Sequence, residues 1–408
     1  MSYDARFPGN FFTNQSPAEI LTNIIRRAAE LHVSDVFLLA EESGIRVAFR
    51  RMGGVETVAA LPAELGRTVV NLLKAEAGID LGDRRRPQEG RRIQSIDDRT
   101  IDLRISIIPT LHGEDVTTRL LDRKFGLRTL EQIGLTPLEL NKMQAMLNNP
   151  SGLILVTGPT GTGKTTSLYS CLQYLNDGTR KINTLEDPIE YAVAGLRQSQ
   201  ANAKVGLDFP ELLRHILRQS PDVIMVGEVR DEETATTAVR AANSGTVVLS
   251  TLHAPVAAAA VQSMVALGVN RHFLSNCLLG VVAQRLARTL CTKCRIAYDI
   301  SQSPETFADV QQYLDPGYGT YLFGPGSCDS CFQQGYSGRT AIVELMVFNR
   351  AIRQLVAQGC TSEELQSFAI ANGMLEFRRS AMVKVAMGIT SMEEVLRELP
   401  MEQLGLDL

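Results

Sequence analysis

The 408-residue sequence lacks tryptophan, a basic excess and any long apolar run. No window approaches the roughly 20 apolar residues that a membrane-spanning helix needs. The opening MSYDARFPGNFF has no apolar stretch behind a basic start, so no signal peptide is visible. The chain is therefore expected to be cytoplasmic, with any membrane attachment made through a partner. A net charge of −4 and a pI near 5.9 remove the global positive field of a nucleic-acid binder, although Arg84, Arg85, Arg86, Arg91 and Arg92 crowd one short stretch. Aromatic residues make up only 6%, but 44% hydrophobic and 21% charged residues is a globular balance, unlike that of a disordered or a membrane chain. The length suits two or three domains, each large enough for its own core.

Residues 1–15 carry Pro, Gly and Asn without periodicity and read as an arm or linker. Apolar residues then recur at helical spacing over Ala18–Leu31. Strand-like runs follow at Ile45–Phe49, Arg92–Ile96 and Ile101–Ile107, with a helix over Thr68–Ala77. These give a compact α/β domain over 16–122. After a connection at Arg123–Arg128 and a helix at Pro137–Leu147, continuous apolar runs at Gly152–Thr157, Lys181–Leu185, Val223–Val226 and Val247–Thr251 alternate with helical stretches such as Pro210–Gln219 and Asp231–Asn243. Strands apolar on both faces, alternating with helices, predict a parallel sheet covered on two sides. Beyond Asn349 the chain reads as helical. Thr361–Glu364 and Ser391–Glu394 fit capping patterns, with Gly359 and Gly388 as helix stops before them.

The run Gly158-Pro159-Thr160-Gly161-Thr162-Gly163-Lys164-Thr165, followed by Thr166, matches G-x-x-x-x-G-K-[ST] between an apolar strand and a helix. Its glycines let successive N–H groups turn inward around phosphate oxygens, and the helix N-terminus adds its positive end. Lys164 would neutralise the β- and γ-phosphates, and the Thr165 hydroxyl would hold Mg²⁺. Two later strand ends deliver acids, Glu186-Asp187-Pro188-Ile189-Glu190 and Gly227-Glu228-Val229-Arg230-Asp231. Ligands of such sheets bind at the carboxyl ends of strands, so both acid groups are expected to face the phosphate loop. A third strand ends at Leu252-His253. A lone histidine is more often a satisfied surface or core residue, but its place after a strand of the same sheet suits a γ-phosphate sensor.

Seven cysteines include two CxxC pairs, Cys291/Cys294 and Cys328/Cys331, while Cys171, Cys277 and Cys360 are scattered and expected to be small buried apolar residues. Two knuckles can close a tetrahedral S₄ site, for which Zn²⁺ is the favoured ion. The intervening 295–327 is longer than a compact two-knuckle pattern, so spacing alone also admits unliganded thiols.

The order of phosphate loop, TLEDPIEY, SPDVIMVGEVRD and VVLSTLHA resembles the secretion-ATPase superfamily of type II secretion and type IV pili. In that family these are the Walker A, Asp, atypical Walker B and His boxes. Upstream, DRRRPQEGRR and LRISIIPTLHGEDVTTRLLD also match, as do GVVAQRLARTLC and GYSGRTAIVELM downstream, so the resemblance covers nearly the whole chain. It implies an N-terminal PAS-like α/β domain and a RecA-like ATPase domain over 129–408, with a metal-binding subdomain at 285–340 and a helical part at 349–408. It also implies ATP and Mg²⁺, and structural Zn²⁺ on the four paired cysteines, since export and assembly members carry such an insertion while retraction members generally lack it. Glu186 would polarise water, Glu228 would be the Walker B acid, and His253 would sit near the γ-phosphate. Arg104 and Arg119 match arginines that reach a neighbouring subunit's site, which implies a homo-hexamer. The implied partner is an inner-membrane platform or docking protein, at the cytoplasmic face of the inner membrane, with no nucleic acid. Alternatives are a pilus retraction ATPase, a DNA translocase needing a basic pore, and a slow nucleotide-binding scaffold.

The sequence departs from the family pattern at several points. SDIHIEP appears as Ser34-Asp35-Val36-Phe37-Leu38-Leu39-Ala40, and the GH ahead of the His box is Gly245-Thr246. HTN becomes His253-Ala254-Pro255, DPD becomes Ser220-Pro221-Asp222, and an expected helical Arg is Ser263. The large first N-terminal domain of many members has no counterpart here, so docking is expected to use the short arm or another surface.

Overall fold

The computed structural model describes residues 15–97, 99–122 and 126–405. Most of the arm expected at 1–15, and part of the connection at 123–128, lie outside them. The chain divides into two compact units, Met1–Gly126 and Leu127–Leu408.

Among its described residues, the first unit holds a six-stranded antiparallel sheet in the order β3-β2-β1-β6-β5-β4. The strands are β1 (Asp35–Glu41), β2 (Gly44–Arg51), β3 (Gly54–Pro62), β4 (Gln88–Ile96), β5 (Arg99–Thr110) and β6 (Gly113–Asp122). The helix Pro17–Glu30 starts at a capping box, in which Ser16 and Glu19 satisfy each other's backbone N–H, with Pro17 as first helical residue. It buries Ile20, Leu21, Ile24, Ile25, Ala28 and Ala29, one stripe at helical spacing. A second helix, Ala63–Glu76, packs beside it and over β2 and β3. It starts well before the expected Thr68, because Pro62 caps it without a side-chain hydrogen bond and so leaves no capping signal. One sheet face, with Val36, Leu38, Val47, Phe49, Leu103, Ile105 and Val116, forms this unit's core.

The second unit is built on a seven-stranded sheet in the order β15-β12-β7-β11-β10-β8-β9. Its members are β7 (Gly152–Thr157), β8 (Ile182–Glu186), β9 (Arg197–Gln200), β10 (Val223–Val226), β11 (Val247–Leu252), β12 (Leu278–Leu290) and β15 (Tyr336–Val347), and all pairs are parallel except β12 with β15. β7, β10 and β11 are buried throughout. Alternate residues feed two cores. Leu153, Leu155, Ile224, Val226 and Val248 meet the helices Glu232–Asn243 and Ala257–Ala266 and the C-terminal helices. Ile154, Val156, Val223, Met225 and Leu249 meet Pro137–Leu147 and Lys164–Leu175. This is the two-sided covering that the continuous apolar runs predict.

β12 and β15 belong to the main sheet, so the excursion that carries the cysteines runs only from Cys291 to Gly335, narrower than the 285–340 expected. It holds a small antiparallel hairpin of β13 (Ile296–Asp299) and β14 (Tyr321–Gly324). The chain beyond Asn349 is helical as expected, over Arg350–Gln358, Ser362–Ala371, Phe377–Ala386 and Met392–Glu398. Thr361 and Glu364 form the anticipated capping box, and Gly359 ends the helix before it at φ 91°. Among the described residues no helix is long and apolar enough to cross a membrane.

Candidate functional site

β7 delivers the chain into the glycine turn, and Lys164 opens the helix that follows. Gly163 is the N-cap at φ 86°, and Gly158 has φ 142°. A Cβ on Gly158 would lie 2.4 Å from the Gln284 carbonyl oxygen, so only glycine fits between the strand ends. The Lys164 ammonium donates to the carbonyls of Gly158 at 2.7 Å and Pro159 at 3.0 Å, which curls its stem around the loop. Burial pulls its pKa down, the Glu228 carboxylate acts the other way, and Arg285 adds to the lowering. Pro159, Thr160 and Gly161 are exposed, and Thr165 and Thr166 are partly so. The turn thus presents N–H groups, a helix N-terminus and a cation at one point, a cradle for phosphate oxygens.

Gln284, a residue the sequence reading did not single out, braces this cradle from β12. Its Nε2 donates to the Thr162 carbonyl at 2.6 Å, and its Oε1 accepts from the Ser167 hydroxyl at 2.7 Å. Gln284 is 2% exposed. The available signal was two polar residues, Gln284-Arg285, inside the run Val281–Ala287, since buried polar groups are kept only with partners.

Neighbouring parallel strands place Glu228 and His253 together. β10 and β11 pair with Val226 opposite Ser250, so the residues just past their ends meet. His253 Nε2 lies 2.9 Å from Glu228 Oε1. Glu228 Oε2 accepts two bonds from the Arg230 guanidinium, at 2.8 Å and 2.6 Å, and this pairing raises the Arg230 pKa. Thr157 Oγ1, the last side chain before the glycine turn, accepts from the Ala254 N–H at 2.7 Å and thereby ties the His253 loop to the phosphate loop.

Glu186 ends β8, as expected, but its carboxylate is 3% exposed. Thr184 Oγ1 and Gln198 Nε2 donate to Oε1 at 2.6 Å and 3.1 Å, and the Tyr169 hydroxyl donates to Oε2 at 2.5 Å. Burial, then the Glu186 hydrogen bond, push the Tyr169 phenol far above its ordinary range, so it remains a donor. In this conformation the protein itself satisfies both Glu186 oxygens.

Arg104 and Arg119 lie in the first unit, directly opposite each other on β5 and β6. The register extends this into one row across the sheet, Arg50, Asp35, Arg119, Arg104 and Arg91. Asp35 receives Arg119 at 3.1 Å and Arg50 at 3.4 Å, and Asp102 takes a two-pronged contact from Arg91 at 2.9 Å and 2.6 Å. Like charges opposite one another oppose pairing, and the Asp35 and Asp102 carboxylates offset that here. The basic stretch noted in the sequence is otherwise largely neutralised, with Arg92 on Glu76, Arg86 on Asp83 and Arg84 near Glu114.

Cys291, Cys294, Cys328 and Cys331 converge, with all four sulfurs within 4.8 Å of one another. Three pairs are 3.8, 3.7 and 3.7 Å apart. Four sulfurs about 2.3 Å from a central zinc sit about 3.8 Å apart, so the cluster already has the size of a tetrahedral thiolate site. Burial acts to raise the Cys331 thiol, but hydrogen bonding, including the Gly335 N–H at 3.2 Å from its Sγ, outweighs this and brings it to about 6. Of the scattered cysteines, Cys171 and Cys277 are buried as expected, while Cys360 is only half-buried.

A parallel sheet covered by helices on both faces, with a glycine turn opening a helix at its carboxyl edge and acids at later strand ends, defines an α/β protein whose ligand site is expected at that edge. The chain belongs to the type II/IV secretion system protein family, whose model matches residues 13–397. It is 40% identical over 378 residues to type II secretion system protein E of Pseudomonas aeruginosa, covering 93% of this chain and 74% of that one. It is 36% identical over 389 residues to the type IV pilus assembly ATPase TfpB of Acinetobacter baylyi, covering 95% and 66%. The crystal structure of the pilus retraction motor PilT with bound ADP superposes with TM-score 0.63 at 25% identity, over 93% of this chain and 97% of that one.

The departures from the family pattern have visible consequences. Ser263 turns its hydroxyl back onto the Ala259 carbonyl of its own helix at 3.0 Å, so no cation extends from that position. Phe37 lies under the Arg50 guanidinium, 5.3 Å from its ring centre.

Proposed function

We propose that the chain is an ATP-hydrolysing motor of type II secretion or type IV pilus assembly, working as a homo-hexamer at the cytoplasmic face of the inner membrane. The carrying observation is the convergence of the Lys164 loop, Glu228 and His253 at adjacent carboxyl ends of one parallel sheet. The loop from Gly158 to Thr166 holds the triphosphate, Lys164 meets its outer phosphates and Thr165 holds Mg²⁺, which neutralises charge there. Glu228 is the Walker B acid and His253 reports the γ-phosphate. Glu186 polarises the attacking water, a role that requires Thr184, Gln198 or Tyr169 to release one of its oxygens. Arg104 and Arg119 complete a neighbouring subunit's site.

Zinc held by the four cysteines is structural, because four protein ligands leave no position for water. The working divisions are an arm at 1–15, an α/β domain at 16–122 and an ATPase domain at 129–408. The partner is a platform or docking protein of the inner membrane, and nucleic acid is not a ligand.

The names of the relatives and the four cysteines favour secretion or assembly over retraction, the alternative that likeness to PilT supports. A slow scaffold of the same family is the remaining reading, suggested by Thr246 and Ser263. ATP turnover tests these readings. Wild type is expected to hydrolyse ATP, Lys164→Ala to lose nucleotide binding, and Glu228→Gln to keep binding while losing at least about 10²-fold in turnover. Binding without turnover in any wild-type preparation would favour the scaffold.

A further inference from the structure

Arg285 is 5% exposed, yet among the described residues no carboxylate bonds to it. Its guanidinium donates to the Gln284 carbonyl at 3.2 Å and to the Pro255 carbonyl at 3.1 Å, and it lies 4.9 Å from the centre of the Phe377 ring. Burial lowers its pKa, and the charges of Glu344 and Glu398 act against that. A buried cation without a bonded counter-charge is costly, so its contacts merit a functional explanation. They join three parts of the unit. The Gln284 carbonyl faces Gly158 of the phosphate loop, Pro255 is two residues past His253, and Phe377 opens a C-terminal helix.

Glu344, on β15, makes a parallel set of links. It is 2% exposed. Its Oε2 accepts from the Ala257 N–H at 3.0 Å, and its Oε1 accepts from the Phe377 N–H at 3.2 Å and from Gln366 at 3.0 Å. Neither of these helices receives a cap from its own N-cap side chain, Val256 or Glu376. One carboxylate therefore satisfies orphan donors at two helix N-termini, where negative charge is also favoured by the helix dipoles. Burial raises its pKa, and the Ala257 and Phe377 N–H bonds oppose that rise.

We propose that Arg285 and Glu344 are positioning residues for His253, and that through Phe377 they make the placement of His253 depend on the C-terminal helices. The four residues from Ala254 to Ala257 are then held at Ala254 by Thr157, at Pro255 by Arg285 and at Ala257 by Glu344, leaving His253 aimed at Glu228. A C-terminal helix that shifts on docking a partner would carry Phe377 with it and move the histidine. The proposal rests on reading His253 as part of the nucleotide site, but its first readout does not depend on turnover.

The test uses Arg285→Lys, Glu344→Gln and Phe377→Leu in the full chain, with Arg285→Met as the severe variant. Histidine side-chain NMR resolves the five histidines. The expected result is that the His253 signal moves in all three milder variants, while those of His32, His112 and His215 stay in place. In steady-state kinetics kcat is expected to fall about tenfold to a hundredfold, the scale of a small misplacement of a reacting group, with ATP affinity within about threefold of wild type. Arg285→Lys is expected to retain more kcat than Arg285→Met. An unmoved His253 signal in the milder variants would overturn the proposal, whether or not the wild type hydrolyses ATP. So would a kcat that falls only in step with ATP affinity and melting temperature, which is the mark of general loosening. Wild type inactive with a responsive His253 would instead count against the motor reading and leave the positioning network standing.

Discussion

Replacing Gln284 by leucine removes the brace of the phosphate loop while keeping its volume. Two bonds are lost, Nε2 to the Thr162 carbonyl and Ser167 Oγ to Oε1, at 2.6 Å and 2.7 Å. Ser167 is 1% and Thr162 8% exposed, so water does not readily replace either partner. An orphaned buried polar group costs about 1–3 kcal/mol, and the added apolar burial returns roughly 1 kcal/mol. With two such groups the net loss is about 1–5 kcal/mol, and at about 2–4 °C per kcal/mol the melting temperature should fall by about 2–20 °C. If the loop holds phosphate as proposed, ATP affinity should fall as well, and bound ATP should recover less of the melting temperature than in wild type. Thermal melting with and without ATP, with titration of a fluorescent nucleotide, reads both. A melting temperature and affinity indistinguishable from wild type would refute the idea that Gln284 supports the loop.

The purified protein should contain one zinc per chain by elemental analysis. Cys331→Ser should lose it and become sensitive to proteolysis between residues 291 and 335, where the hairpin depends on the cluster; a metal-free wild type with the same melting temperature would contradict this. Lys384 is 1% exposed and donates to the Gly134 carbonyl, and burial lowers its pKa. The unfolded chain thus holds this proton up to about pH 10.4 while the folded chain releases it earlier, so stability should rise with pH between the lowered value and about 10.4. Lys384→Met should flatten that rise and should be at least as stable as wild type at the low end of the range; urea unfolding across pH 7–10 measures it, with parallel curves as the contrary result.

Much of the second unit is legible in the sequence because its central strands are buried on both faces. Continuous runs such as Gly152–Thr157 and Val223–Val226 coincide with β7 and β10 to the residue. The four cysteines stand out because two CxxC pairs have metal-ligand spacing, and their sulfurs lie within 4.8 Å of one another. β12 and β15 went unread because each mixes polar and apolar residues. Gln284, Arg285 and Glu344 look like surface positions until the loops they brace are in view. In the first unit β1, β3 and β6 were missed because an antiparallel sheet covered on one side needs only every second residue apolar, and Phe37 and Leu39 blur that alternation in β1. The enclosure of Glu186 by Tyr169 and Gln198 depends on contacts 17 and 12 residues away, beyond any local pattern.

Subunit complementation tests the shared-site motor most directly. Arg119→Ala and Glu228→Gln are each expected to be nearly inactive alone, the first lacking the arginine it lends and the second lacking its own acid. Mixed in equal amounts, some interfaces would pair an intact acid with an intact arginine, so turnover per chain should exceed that of either variant and should rise with protein concentration, as wild type should. Full activity of Arg119→Ala alone, or a mixture no more active than its parts at every concentration, would contradict a site completed by the neighbouring subunit.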